Sequence, residues 1–259
     1  MNRSGTSSPE GDRRLPLMFA TSLATAKANL RPGVLLWIVG CVVVGAFYFL
    51  EPARPIFDAV GDAKLRYGYW FSLVSTATFA GLVPWSLQFL QRGRKPDYSL
   101  ARLVFLLVLW AEKGVEVDLF YRVQSWLFGD DVSALTVVAK VLVDQLVYAP
   151  LLGLLTVVLA MAWADAGYSL RRLRRRLSGG GFCRLYLPAL LSNNAVWIPG
   201  VSLIYILPLQ LQVPMQNLVA CFWALVLMSM SDRTKDFDAA AAPDPVAAEP
   251  IAPVRKSEG

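Results

Sequence analysis

The residues with chemical potential in this chain are concentrated in two neighbouring stretches. One holds Glu112, Lys113, Glu116, Asp118 and Arg122; the other is KVLVDQLVYAP, with Lys140, Asp144 and Gln145. Glu112 and Glu116 are spaced like a general acid–base pair, although residues four apart on any helix face share that spacing. The chain contains no histidine. Ser-His-Asp and Cys-His catalysis, histidine acid–base chemistry and histidine metal sites are therefore removed. No GxGD aspartyl signature, serine elbow or phosphate-cradling glycine loop is present. Cys41, Cys183 and Cys221 lie far apart, form no CxxC pair, and read as small buried residues. Catalysis is the least supported reading, and neither a cofactor nor a metal is expected.

The surroundings of these charges decide what they can do. Hydrophobic residues make up 56% of the 259, charged residues 17%, and the mean hydropathy is +0.47; a soluble domain carries about 45–50% and 25%. The apolar excess is gathered into long runs, which predicts an all-α, multi-pass transmembrane helical bundle. Six spans are expected: 33–50, 67–90, 103–127, 135–163, 185–207 and 218–230. A polar tail with a possible interfacial helix (1–32) precedes the bundle (33–231), and an Ala/Pro-rich tail (232–259) follows, expected to be disordered.

The net charge of +6 is unevenly placed. With the N-terminus inside, inner segments carry Arg3, Arg13, Arg14, Lys27 and Arg31, then Arg92, Arg94, Lys95 and Arg102. Arg171 to Arg176 with Arg184, and finally Arg233 and Lys235, complete the inner set. Outer connections hold only Arg54, Lys64 and Arg66, with none at 129–133 or 208–216. This asymmetry fits six crossings. The alternative has four, with the third and sixth segments interfacial. GYSLRRLRRRL places leucines at helical spacing against arginines and reads as a helix on an anionic lipid surface rather than a nucleic-acid patch.

An ionised side chain at the centre of a span costs at least about 2.5–3.5 kcal/mol, so such groups face a protein interior or a wet cavity. The short turn at 129–133 makes the third and fourth spans antiparallel neighbours. Counting from it places Arg122 level with Lys140 and Asp118 level with Asp144. Cross-pairs Asp118–Lys140 and Arg122–Asp144 are expected, together with the i,i+4 pairs Asp118–Arg122 and Lys140–Asp144. Glu112, Glu116, Asp118, Arg122, Lys140, Asp144 and Gln145 are thus candidates for lining a pore or for pairing helices.

From Lys140 to Asp232 the chain resembles the family of the twenty-two-kilodalton peroxisomal membrane protein and its Mpv-type mitochondrial relative. The family element K-x-x-x-D-Q-x-x-x-A-P is matched by Lys140, Asp144, Gln145, Ala149 and Pro150. Pro188, Asn193 and Trp197 match P-x-x-x-x-N-x-x-x-W, and Pro208, Val213, Asn217 and Trp223 match the final element. The chain departs from the pattern where Ile198 separates Trp197 from Pro199 and where Gln212 replaces an arginine. The resemblance implies an integral membrane protein of mitochondrial inner or peroxisomal membranes acting as a channel-like pore for small solutes or ions. A bacterial inner membrane is the alternative location, and a non-conducting scaffold or assembly role the alternative function. The partners expected are the lipid bilayer, small solutes or ions, and possibly further copies of the chain.

Overall fold

The computed structural model describes residues 34–90 and 100–222. The N-terminal tail, the Arg92–Lys95 basic cluster, Trp223, the end of the sixth expected span and the C-terminal tail lie outside the described residues.

Every described element is helical. Helix α1 is Val34–Phe49 and α2 is Arg54–Tyr67, reached through a 3-10 turn at Glu51–Ala53. Helix α3 covers 69–90, α4 is Leu100–Phe128, α5 is Ala134–Asp165 and α6 is Leu170–Leu177. Gly181–Tyr205 forms α7, and α8 occupies 209–222. The tight turn between α4 and α5 sits where the sequence places it. Ser133 caps α5 by accepting from the Thr136 amide at 3.3 Å, satisfying one of the free donors of the first turn.

Two of these helices, α5 and α7, are long and apolar enough to cross a membrane. A third span is counted if α1 and the following 51–67 segment form one, across a 99° bend at Leu50–Glu51. The charges of α4 exclude it by composition, yet its faces are sorted. Lys113, Gly114, Val117, Asp118, Tyr121 and Gln124 point inward, while Val104, Val108, Leu119 and Val123 are exposed. Helix α5 repeats the arrangement, with Lys140, Asp144 and Tyr148 buried and Leu135, Val138, Leu142 and Leu146 exposed. Polar groups inside and leucine or valine outside invert the soluble pattern and suit lipid surroundings.

Two helices contain π-helical stretches close to a proline. In α3 the stretch Ala77–Leu82 ends two residues before Pro84, and in α5 the stretch Asp144–Gly153 contains Pro150, whereas α7 stays regular around Pro188 and Pro199. Proline donates no N–H and crowds the preceding turn, so a wider turn can absorb the mismatch. Two carbonyls in this part of α5 also accept from neighbouring helices: Tyr186 Oη donates to Pro150 O, and Lys113 Nζ to Leu152 O at 3.4 Å.

Lipid provides little hydrophobic drive between helices, so close approach matters. Helix α4 packs most extensively on α3, and Gly114 makes this possible. A Cβ there would stand 2.6 Å from Thr76 Oγ1 and would collide with the Ser72 carbonyl.

Two connections are folded rather than open, and one expectation, for the cysteines, is corrected. The outer connection containing Arg54, Lys64 and Arg66 is largely helical, and Lys64 is buried at 3% exposure. The basic-free connection at 208–216 is a buried helix start: Leu211, Gln212, Val213, Met215 and Gln216 are all enclosed. The carbonyls that follow the α7 terminus are satisfied there. Tyr48 Oη donates to Ile206 O, and Gln212 Nε2 to Leu207 O at 3.1 Å. Cys41 and Cys183 are exposed and Cys221 half-buried, so these cysteines are not core residues.

Candidate functional site: a buried polar interior

Three groups of polar contacts tie α4 to the elements around it. The first is centred on Asp118, which is 2% exposed. Its carboxylate accepts from Lys64 Nζ at 2.6 Å, from Ser72 Oγ at 2.8 Å and from Arg122 Nε at 3.1 Å. Lys64 also donates to Gly68 O at 3.2 Å, and the Arg122 guanidinium lies 5.0 Å from the centre of the Tyr69 ring. Both charges of the enclosed pair are therefore fully engaged, which is what makes it tolerable in a low-dielectric interior.

The second group is centred on Asp144, 4% exposed. Tyr205 Oη donates to one carboxylate oxygen at 2.6 Å and Gln145 Nε2 to the other at 2.9 Å. Gln124 Nε2 donates both to Tyr205 Oη at 2.8 Å and to Lys140 O at 3.1 Å, joining α4, α5 and α7. Lys140 is buried, with its ammonium 6.0 Å from the Tyr205 ring centre and 3.9 Å from Asp130 at the turn. Among the described residues, no cation forms an ion pair with Asp144. The side-chain oxygens of Gln124 and Gln145 are buried with no hydrogen-bond partner.

In the third group Lys113 Nζ contacts Glu116 at 2.5 Å, and Tyr148 Oη donates to the other Glu116 oxygen at 2.7 Å. Glu112 stands at its edge, 4.0 Å from Lys113 and largely exposed. Separately, Asn217 links α8 to α3: its oxygen accepts from Thr76 Oγ1 at 2.7 Å, and its amide donates to Ser75 Oγ at 2.8 Å.

The expected cross-pairs are not formed. Asp118 pairs with Lys64 rather than Lys140, Arg122 turns to Asp118 rather than Asp144, and Lys140 reaches toward Asp130 rather than Asp144. Depth along two antiparallel helices was a poor guide because it ignored azimuth; Asp118 points to α2 and α3. The expected Asp118–Arg122 pair is present. The two helices do meet through polar groups, by way of tyrosine, glutamine and backbone.

Of the family-motif positions, Asp144, Gln145, Ala149, Asn193, Val213 and Asn217 are buried. Trp197 packs against the core, Pro188 lies within α7, Pro150 lies in the π stretch, and Pro208 precedes α8. Lys64, Ser72, Gln124, Tyr148 and Tyr205 were missed as site residues. Gln124 carried a signal, because Asp118, Tyr121 and Gln124 recur every three residues along one face; nothing local marked Tyr205. At the α4–α5 turn, hydrogen bonds from Ser133 and Thr136 hold the Asp131 carboxyl below its ordinary value.

A cleft of about 420 Å³ lies elsewhere, between α1, α2, α3 and α8, and its walls are almost wholly apolar apart from Ser75 and Asn217. No family model, no curated protein and no solved structure matches this chain.

Proposed function

We propose that the chain is a channel-like membrane protein of the Mpv type that passes small polar solutes or ions. In this reading α1, α3, α4, α5, α7 and α8 cross the bilayer, while α2 and α6 lie across its two faces. The observation that carries it is the polar interior around Asp144. Gln124, Lys140, Asp144 and Gln145 are each at most 4% exposed, and among the described residues the side-chain oxygens of Gln124 and Gln145 have no donor. Polar groups are costly inside a membrane bundle, and those with unused hydrogen-bonding capacity suit a solute or water that exchanges its own hydrogen bonds for theirs. The match to K-x-x-x-D-Q-x-x-x-A-P supports the same reading, because its Asp and Gln are the two groups in contact there.

The scaffold reading is favoured by one observation, the saturation of the Lys64–Asp118–Arg122 group, which leaves nothing for a solute. The two separate in full-length protein reconstituted into liposomes and planar bilayers. Conduction and solute efflux are expected, with Asp144→Asn and Lys140→Gln altering conductance or ion preference. Liposomes that stay tight around helical, folded protein overturn the channel reading and leave the scaffold.

A further inference from the structure

Helix α6 does not belong to the polar interior. Its eight residues, LRRLRRRL, join the end of α5 to the start of α7, the two helices apolar enough to cross a membrane. It is therefore held at the edge of the hydrocarbon. Left-handed backbone at Gly167 and Tyr168 on one side, and at Gly179 and Gly180 on the other, turns the chain out of α5 and back into α7. Ser169 caps the helix, accepting from the Arg172 amide at 3.5 Å.

Leu173 and Leu177 are half-buried against the bundle, while all five arginines are exposed. Arg176 lies 3.8 Å from Asp165, which Arg102 also holds at 3.1 Å. Among the described residues, Arg171, Arg172, Arg174 and Arg175 have no carboxylate in ion-pair contact. Like charges three and four positions apart on a helix repel, so this surface is incomplete without anions. Guanidinium forks match phosphate oxygens, and Arg171–Arg175 and Arg172–Arg176 each present two forks about one helical turn apart.

We infer that α6 is a docking surface for anionic phospholipid headgroups, its arginines holding lipid phosphates at the membrane boundary and so anchoring the shared end of α5 and α7. Charge complementarity names the partner, and the placement between two spanning helices names its source as bilayer lipid.

The test uses full-length protein in mixed phosphatidylcholine–phosphatidylglycerol vesicles, extracted gently, with retained lipid quantified per protein by mass spectrometry. Phosphatidylglycerol should be enriched over its bulk fraction and lose enrichment as salt rises. Each arginine changed to glutamine among Arg171, Arg172, Arg174 and Arg175 should weaken retention by about fivefold at low salt. The salt titration on the unaltered protein needs no variant and stands even if the quadruple substitution fails to fold. Retention equal to bulk composition overturns the inference, as does enrichment unchanged in a folded quadruple variant. Displacement of lipid by millimolar inorganic phosphate or by a single-stranded oligonucleotide also overturns it, assigning the surface to a free anion or a nucleic acid.

Discussion

Replacing Asp118 with alanine is the sharpest probe of how this bundle is held together. The carboxylate is 2% exposed and accepts three hydrogen bonds, one from a lysine that is itself 3% exposed. Removing it strands the Lys64 ammonium among apolar groups with Gly68 O as its remaining acceptor. Breaking a buried pair from one side costs about 3–5 kcal/mol, and that loss is expected for Asp118→Ala. Arg122→Ala tests the same group from its open side. The guanidinium is 44% exposed and can turn to water or headgroups, so about 0.2–1 kcal/mol is expected from the ion pair. Its contact with the Tyr69 ring adds about 0.5–1 kcal/mol.

Lys64→Met with Asp118→Leu should recover most of the loss, because an enclosed ion pair replaced by apolar side chains is often near neutral. Ser72 then satisfies its hydroxyl through the carbonyl four residues back, as serines in helices do. The assay is equilibrium unfolding in mixed micelles followed by far-ultraviolet circular dichroism, run as a double-mutant cycle. Asp118→Ala within about 1 kcal/mol of the parent, far short of the 3–5 expected of a buried pair, would refute the reasoning. So would a double variant as unstable as the sum of its parts. Either result would mean that α2 does not cover α4.

Gly114→Ala should destabilise by about 1–3 kcal/mol through overpacking, because the new methyl meets the Ser72 carbonyl and Thr76. Gly61→Ala is the control: its Cβ meets the flexible Gln210 side chain at 3.1 Å and Leu211 Cδ2 at an ordinary 3.8 Å, and thermal unfolding in detergent should show little change. Asn217→Ala leaves the Thr76 and Ser75 hydroxyls without their partner and should cost about 1–3 kcal/mol in the same assay. The depressed Asp131 carboxyl adds stability at pH values above its unfolded-state value, and this is lost as pH falls through the lower native value. Ser133→Ala should bring the carboxyl back toward its ordinary value, read from the pH dependence of its carbon-13 shift.

The helices were legible because long apolar runs and a short acidic turn dictate them; α4 and α5 fall within a few residues of their expected bounds. The enclosure of Lys113, Asp118, Lys140 and Asp144 was legible too, whereas Glu112 and Arg122 stay 59% and 44% exposed. Their partners were not. Lys64 stands in a segment with too few apolar residues to read as a span, and only the 99° bend after α1 brings that segment back over α4. Tyr205 ends a helix whose neighbours are set by packing across sixty residues of chain. Such contacts follow from azimuth and from where helices stop, and hydropathy carries neither.

Helix α4 is too charged on average to resemble a simple span, yet its faces suit the bundle interior. Hydropathy averages over a helix; a membrane helix is judged face by face. On α4 the charged and amide groups fall on the arcs touching α2, α3, α5 and α7, and valines and leucines occupy the arc left over. A helix so arranged is unstable alone in lipid and stable once its neighbours supply Lys64, Ser72, Tyr148 and Tyr205. In the six-span reading, insertion and assembly are therefore linked for α4 in a way they are not for α5 or α7, whose apolar lengths suffice by themselves. The polar contacts that give α4 its place are also the ones on which the conducting and scaffolding readings divide. Asp118 has all its capacity taken up by the fold, whereas the groups beside Asp144 retain some.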